Sequence, residues 1–191
     1  MALIGIRAAA SCVLSCFALG AFAAGGPPPV PPVKPGLWEV RSSMLDADGH
    51  EMERPEMAAM SRMTPEVRAR MAEVMKARGL SMPDASGVTK ACLTKEMFES
   101  GAWQQMAADA GCTTTYSTSS STAWKWHTSC ATLKSESDGE SAFTPESYRT
   151  QVKTTSAMTG KTNTSTRTIQ GKWIGANCGD VKPFTPPAAV K

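Results

Sequence analysis

Histidine, methionine, cysteine and carboxylate side chains are where this sequence could do chemistry. His50 and His127 are its two imidazoles, the only side chains whose ordinary titration falls near neutral pH. His50 lies among acids in Asp48-Gly49-His50-Glu51, and His127 follows Lys125 by two positions. Serine is abundant, but no Gly-x-Ser-x-Gly elbow or Ser-x-x-Lys pair occurs. A serine nucleophile needs a base and an orienting group placed around it, and two histidines offer few ways to build that. A carboxylate-dependent hydrolase would have to use acids such as Glu39 with Glu51 or Asp48. No glycine loop of the phosphate-binding or dinucleotide-binding kind is present.

Two metal readings exist. Cys112, His127 and Cys130 offer zinc-type ligands, with His127-x-x-Cys130 at a workable spacing. Methionine offers the other. Met52, Met57, Met60, Met63, Met71, Met75 and Met82 crowd into one stretch. Thioether sulfur is a soft ligand that suits Cu(I), and Met57, Met60, Met63, Met71 and Met75 would form the copper set. The competing reading is packing: unbranched Met fills the core under an amphipathic helix or lines an adaptable apolar groove.

Which reading holds depends on the compartment. Residues 1–23 read as a secretory signal peptide: Arg7 gives a positive start, Ala8 to Phe22 is apolar, and Ala21-Phe22-Ala23 fits a small-x-small cleavage site. The apolar run is too short for a permanent span. Lipid attachment at Cys16 is the alternative, but apolar residues continue beyond it. Export places the chain in the periplasm of a Gram-negative bacterium or outside the cell, where thiols oxidise. Cys92, Cys112, Cys130 and Cys178 then become two disulfides rather than metal ligands. Net charge is +3, and removing Arg7 leaves 19 basic against 17 acidic residues, with no block of either sign. That argues against nucleic acid as a partner. No later segment is long and apolar enough to be an integral membrane span.

The elements that must position these groups follow from pattern. Residues 24–35 are rich in Pro and Gly and read as an extended linker. Trp38, Val40, Ser42 and Met44 alternate with polar residues, which predicts a strand ending at Asp46-Ala47-Asp48-Gly49. A Met-rich helical insertion is expected at about 54–79. Pro55 opens its first run. Thr64 is the N-cap and Pro65 the first residue of its second helix, Val67, Met71, Val74 and Met75 form the apolar face, and Gly79 ends it. Thr89 to Leu93 reads as a short strand, and Thr94 starts a short helix.

From Thr113 to Gln170, 27 of 58 residues are Ser or Thr, a composition that could be disordered. The aromatic placement argues for strands instead. A hairpin turning on Ser120-Ser121-Thr122 sets Cys112 opposite Cys130, Tyr116 opposite Trp126 and Thr118 opposite Trp124, all on one face. The other face, with Lys125 and His127, is polar. This register pairs Cys112 with Cys130 and leaves Cys92 for Cys178. It also sets His127 on the face away from both thiols, against zinc. Tyr148, Val152 and Met158 share a parity, as do Ile169 and Trp173 in a further strand. The fold class is α+β: an antiparallel β meander, a curled sheet or partial barrel, with a helical insertion and two disulfide staples. One domain spans 36–182, and 183–191 reads as a disordered tail.

Several of these stretches together resemble the domain-of-unknown-function family DUF3617. Val33-Lys34-Pro35-Gly36-Leu37-Trp38-Glu39-Val40 is similar to its opening. Met63-Thr64-Pro65-Glu66-Val67-Arg68-Ala69-Arg70-Met71, Cys92-Leu93-Thr94 and Gly111-Cys112 are similar to its middle, and Gly171-Lys172-Trp173-Ile174-Gly175-Ala176-Asn177-Cys178-Gly179-Asp180 to its end. The resemblance implies a secreted or periplasmic bacterial protein. It implies no activity, cofactor or catalytic residue. The functional expectation is therefore a non-enzymatic binding or accessory protein without a cofactor. It would hold an apolar ligand or a segment of a periplasmic partner between the sheet and the helical insertion. Copper handling through methionine and carboxylate hydrolysis are the alternatives.

Overall fold

The computed structural model describes residues 28–52, 60, 62–84, 86–100, 107–108, 110–157 and 160–184. The signal peptide, Cys16, Pro55, Met57, Met158 and residues 185–191 lie outside them. Among the described residues seven strands are present: β1 (Gly36–Leu45), β2 (Val88–Leu93), β3 (Cys112–Ser119), β4 (Ala123–Cys130), β5 (Ser135–Phe143), β6 (Ser147–Ser156) and β7 (Asn163–Gly175). Among the same residues two helices accompany them, α1 (Pro65–Ala77) and α2 (Lys95–Glu99). The strands form one antiparallel sheet in the order β2-β1-β7-β6-β5-β4-β3. β2 and β3 stand at opposite edges and do not pair with each other, so the sheet is open rather than a barrel.

The chain runs as a meander from β3 to β7, and β1 then lies against β7 along nine register pairs. Trp38 of β1 sits between Ala91 of β2 and Trp173 of β7 and is 0% exposed. Around it pack Val33, Ala91, Leu93 and Met97, with Val40, Phe143, Tyr148 and Trp173 partly buried against them. The β3–β4 hairpin keeps the expected register from Cys112↔Cys130 to Tyr116↔Trp126. Beyond that a bulge intervenes: Thr118 pairs with Lys125 and Ser119 with Trp124. The expected Thr118–Trp124 pair is thus lost, because one extra residue on the bulged strand shifts every later partner. Cys112–Cys130 is bonded across this hairpin, and Cys92–Cys178 ties β2 to the loop after β7.

Three expectations about the flanking segments are corrected. Residues 28–35 are not a free linker. Pro28, Pro31 and Val33 are buried, and the Lys34 backbone N–H donates to the Pro145 carbonyl at 2.9 Å. The Trp38 indole N–H donates to the Lys34 carbonyl (3.0 Å) and the Trp173 indole N–H to the Pro35 carbonyl (3.1 Å). The Lys34 ammonium pairs with Glu146 and lies 4.8 Å from the Trp173 ring centroid. This segment is a strap clamped across the sheet by two indoles and one lysine.

Pro183 and Phe184, expected to open a disordered tail, are docked on the edge of β2. The Phe184 N–H donates to the Cys92 carbonyl at 2.8 Å. Ser81 serves the same edge: its N–H donates to the Lys90 carbonyl, and its hydroxyl accepts from the Lys90 N–H. An edge strand's outward polar groups are thereby satisfied.

The third correction concerns α1. Thr64 caps it as expected, its hydroxyl accepting from the Val67 N–H, and Pro65 is its first residue. None of its residues is buried, and Val67 and Val74 are 49% and 46% exposed. Of the face that the spacing marks, Met71 and Met75 are part-buried and the two valines are exposed.

Candidate functional site

Strand alternation turns one face of β3–β7 toward a cavity of about 350 Å³. Trp124, Trp126, Phe143, Tyr148 and Ile169 supply apolar wall, joined by Thr114, Tyr116, Thr128, Ser141 and Thr150. Leu93, Phe98, Ala107, Pro31 and Val33 complete it from outside the meander. Topology explains their presence. β2 and β3 stand at opposite edges of the sheet, so the chain passes from one edge to the other between them. Phe98 of α2 and Ala107, which lie between Cys92 and Cys112 in the chain, reach the wall. Thr94 caps α2, its hydroxyl accepting from the Met97 N–H, and Met97 anchors the helix in the core.

Four of the wall's hydroxyls are committed to one another in two pairs. Thr114 and Thr128 hydroxyls bond across β3 and β4 at 2.9 Å, and Ser141 and Thr150 across β5 and β6 at 2.7 Å. Paired hydroxyls lose little on leaving water, so the wall is effectively apolar despite its composition. The described lining holds two phenols, Tyr116 and Tyr148, and no charged side chain. Burial pushes Tyr148 up to about 12, so it stays a neutral phenol. Two rings lie directly over glycines of the neighbouring strand: Trp126 over Gly139 and Tyr148 over Gly171.

The outer face of the same strands carries charge. His127 is bonded through Nδ1 to Asp138 and through Nε2 to Glu136, both at 2.9 Å. Asp138, then Glu136, raise its pKa above the ordinary value. Both ring nitrogens are engaged, so no lone pair is available for general-base work. Among the described residues, a second titratable group is the exposed turn Asp46, Asp48 and His50. One Asp46 oxygen accepts the backbone N–H groups of Asp48 and His50, each at 2.9 Å. The His50 N–H is the largest influence holding that carboxyl below its usual range. This is turn-closing chemistry.

The other sequence-derived candidates do not converge. Glu51 bridges Leu45, six residues along β1 from Glu39, a separation of about 20 Å. Paired hydrolytic carboxylates work at about 5–10 Å. Asp48, in the turn beyond Leu45, is no better placed relative to Glu39. Cys112 and Cys130 are spent on each other, and His127 faces away from them. Met60, Met63, Met71 and Met75 are all half-exposed, and none lines the cavity. Among the described residues, Pro31 and Val33 of the strap and Leu93, Phe98 and Ala107 close the cavity from outside the meander. The expected cover was the Met-rich stretch, and none of its described residues lines the cavity. Phe98, Ala107, Pro31 and Val33 went unflagged in the sequence. In the sequence, the apolar Val33 within the Pro-rich run was the available signal.

Comparison with known proteins sharpens the picture. The model of a family described as a protein of unknown function (DUF3617) matches residues 33–178. The chain belongs to the DUF3617 family. The family match begins at Val33, a strap residue in the cavity wall, and ends at Cys178, the partner of Cys92. An uncharacterized protein in the lpd-3 5'region of Pseudomonas putida is 30% identical over 115 residues, which is 58% of this chain and 77% of that relative. No solved structure matches. Among the described residues, no helix is long and apolar enough to cross a membrane.

Proposed function

We propose that this DUF3617 chain is an exported, non-enzymatic binding module that holds a neutral apolar ligand against the inner face of its sheet. One observation carries the reading: a cavity of about 350 Å³ is walled by aromatic rings and by hydroxyls that bond each other. Ligand sites commonly measure about 300–1,000 Å³, and an apolar cavity of about 150 Å³ already accepts benzene. An uncharged molecule roughly twice that size fits the space. An ionised group would enter a wall with no counter-charge, at a high desolvation cost. Export is supported by the leader-like first 23 residues and by two disulfides, which persist where the surroundings oxidise.

Titration of the purified mature chain with Nile red, a neutral fluorescent probe, tests the binding reading. Saturable one-to-one binding is expected, with quenching of tryptophan emission. Phe98→Asp, which sets a charge in the wall, is expected to abolish it while circular dichroism stays unchanged. Probe fluorescence that never saturates would sink the reading. Mass spectrometry of the chain from a periplasmic extract tests export: a start near residue 24 is expected, and an intact residue 1 would overturn it.

A further inference from the structure

Gly139 and Gly171 occupy strand interiors, where glycine is unfavourable by about 0.5–1 kcal/mol relative to alanine in regular structure. Neither has a positive φ that would require glycine. What each position cannot hold is a Cβ. At Gly139 a Cβ would lie 2.2 Å from Trp126 Cε2 and Cζ2, and at Gly171 it would lie 2.0 Å from Tyr148 Cε1. Both glycines are buried. Trp126 and Tyr148 line the cavity, whereas the glycines do not. Each ring therefore lies between its glycine and the cavity, flat against backbone that has no side chain to lift it.

We propose that Gly139 and Gly171 are specificity-determining positions: the recesses they leave set how deep the cavity is, and hence the longest uncharged hydrocarbon it accepts. This rests on the binding reading above. A methyl at either position drives its ring off the sheet by more than 1 Å to recover ordinary contact at about 3.5 Å. The space that ring enters is the ligand's. Ligands that fill the cavity lose room, and those that leave it part-empty do not. Each methylene excluded weakens binding about fourfold.

The test uses straight-chain primary alcohols of increasing length, competing with Nile red on the wild-type chain, Gly139→Ala and Gly171→Ala. Each alanine is expected to shift the preferred length downward, with the longest alcohols bound about tenfold more weakly and the short ones unchanged. Trp126→Leu removes the ring over Gly139 and is expected to shift the preference upward, a check that survives if the alanine variants fail to fold. A preferred length that does not move, moves the opposite way, or falls in affinity evenly across the series overturns the proposal. In that case the glycines serve ring packing alone. If the wild-type chain binds neither probe nor alcohol, the binding reading itself is what fails.

Discussion

The inner and outer faces of β4 and β5 come from the same short stretches of chain, yet they treat polar groups in opposite ways. On the inner face Ser141 and Thr150, like Thr114 and Thr128, spend their hydroxyls on each other and turn the rest of the side chain to the cavity. On the outer face Lys125 reaches Glu140 at 3.7 Å, and His127 bridges Glu136 and Asp138, all in contact with solvent. The difference teaches that dryness here is made by pairing as much as by residue type. A strand made largely of Ser and Thr can present an apolar wall when its neighbour supplies a matching hydroxyl.

The contrast predicts a descending series of effects on stability. Trp38→Ala removes the fully buried indole and its bond to the strap, and is expected to lower unfolding free energy by about 3–5 kcal/mol in urea titration. Ser141→Ala strands the Thr150 hydroxyl in the wall and should cost about 1–3 kcal/mol. The double variant Ser141→Ala with Thr150→Val should recover most of that, and a double variant no better than the single would break the pairing argument. On the outer face Lys125→Ala should change stability by less than about 0.5 kcal/mol, with the effect vanishing in 1 M salt.

The smallest effect is the pH dependence of His127. Its folded pKa is raised, so its contribution is fully present below the ordinary value of 6.5 and is lost as pH rises through the folded value. Melting temperatures of wild type and His127→Gln should therefore differ most at acid pH and converge in alkali. A His127 proton resonance that titrates at or below 6.5 would contradict the carboxylate contacts.

How much of this was legible beforehand varied with the kind of signal. The hairpin was readable because Cys112, Tyr116, Trp126 and Cys130 share a parity that only one register honours. The bulge near Ser117 was not, since one more small polar residue in a Ser/Thr run leaves no mark on the pattern. The strap was misread for a physical reason: proline removes backbone donors, which makes a segment look unattached. Here the bonds come from the other side, from the indoles of Trp38 and Trp173. The α1 spacing was real, but helical periodicity states which residues share a face and not whether anything lies under it. The cavity's cover was hidden because it follows from strand order, and β1 joining β7 is a long-range pairing that local spacing does not report.

The strap also decides where the molecule is mechanically sensitive. Pro31 and Val33 of the strap line the pocket, so a pull, a bulky fusion or an immobilising surface applied at residue 28 is felt first there. The same load applied beyond Phe184 bears first on the outer edge of β2, where the Phe184 N–H donates to the Cys92 carbonyl, and Phe184 itself is not a lining residue. A handle for pulling or immobilising this chain therefore belongs at its C-terminal end.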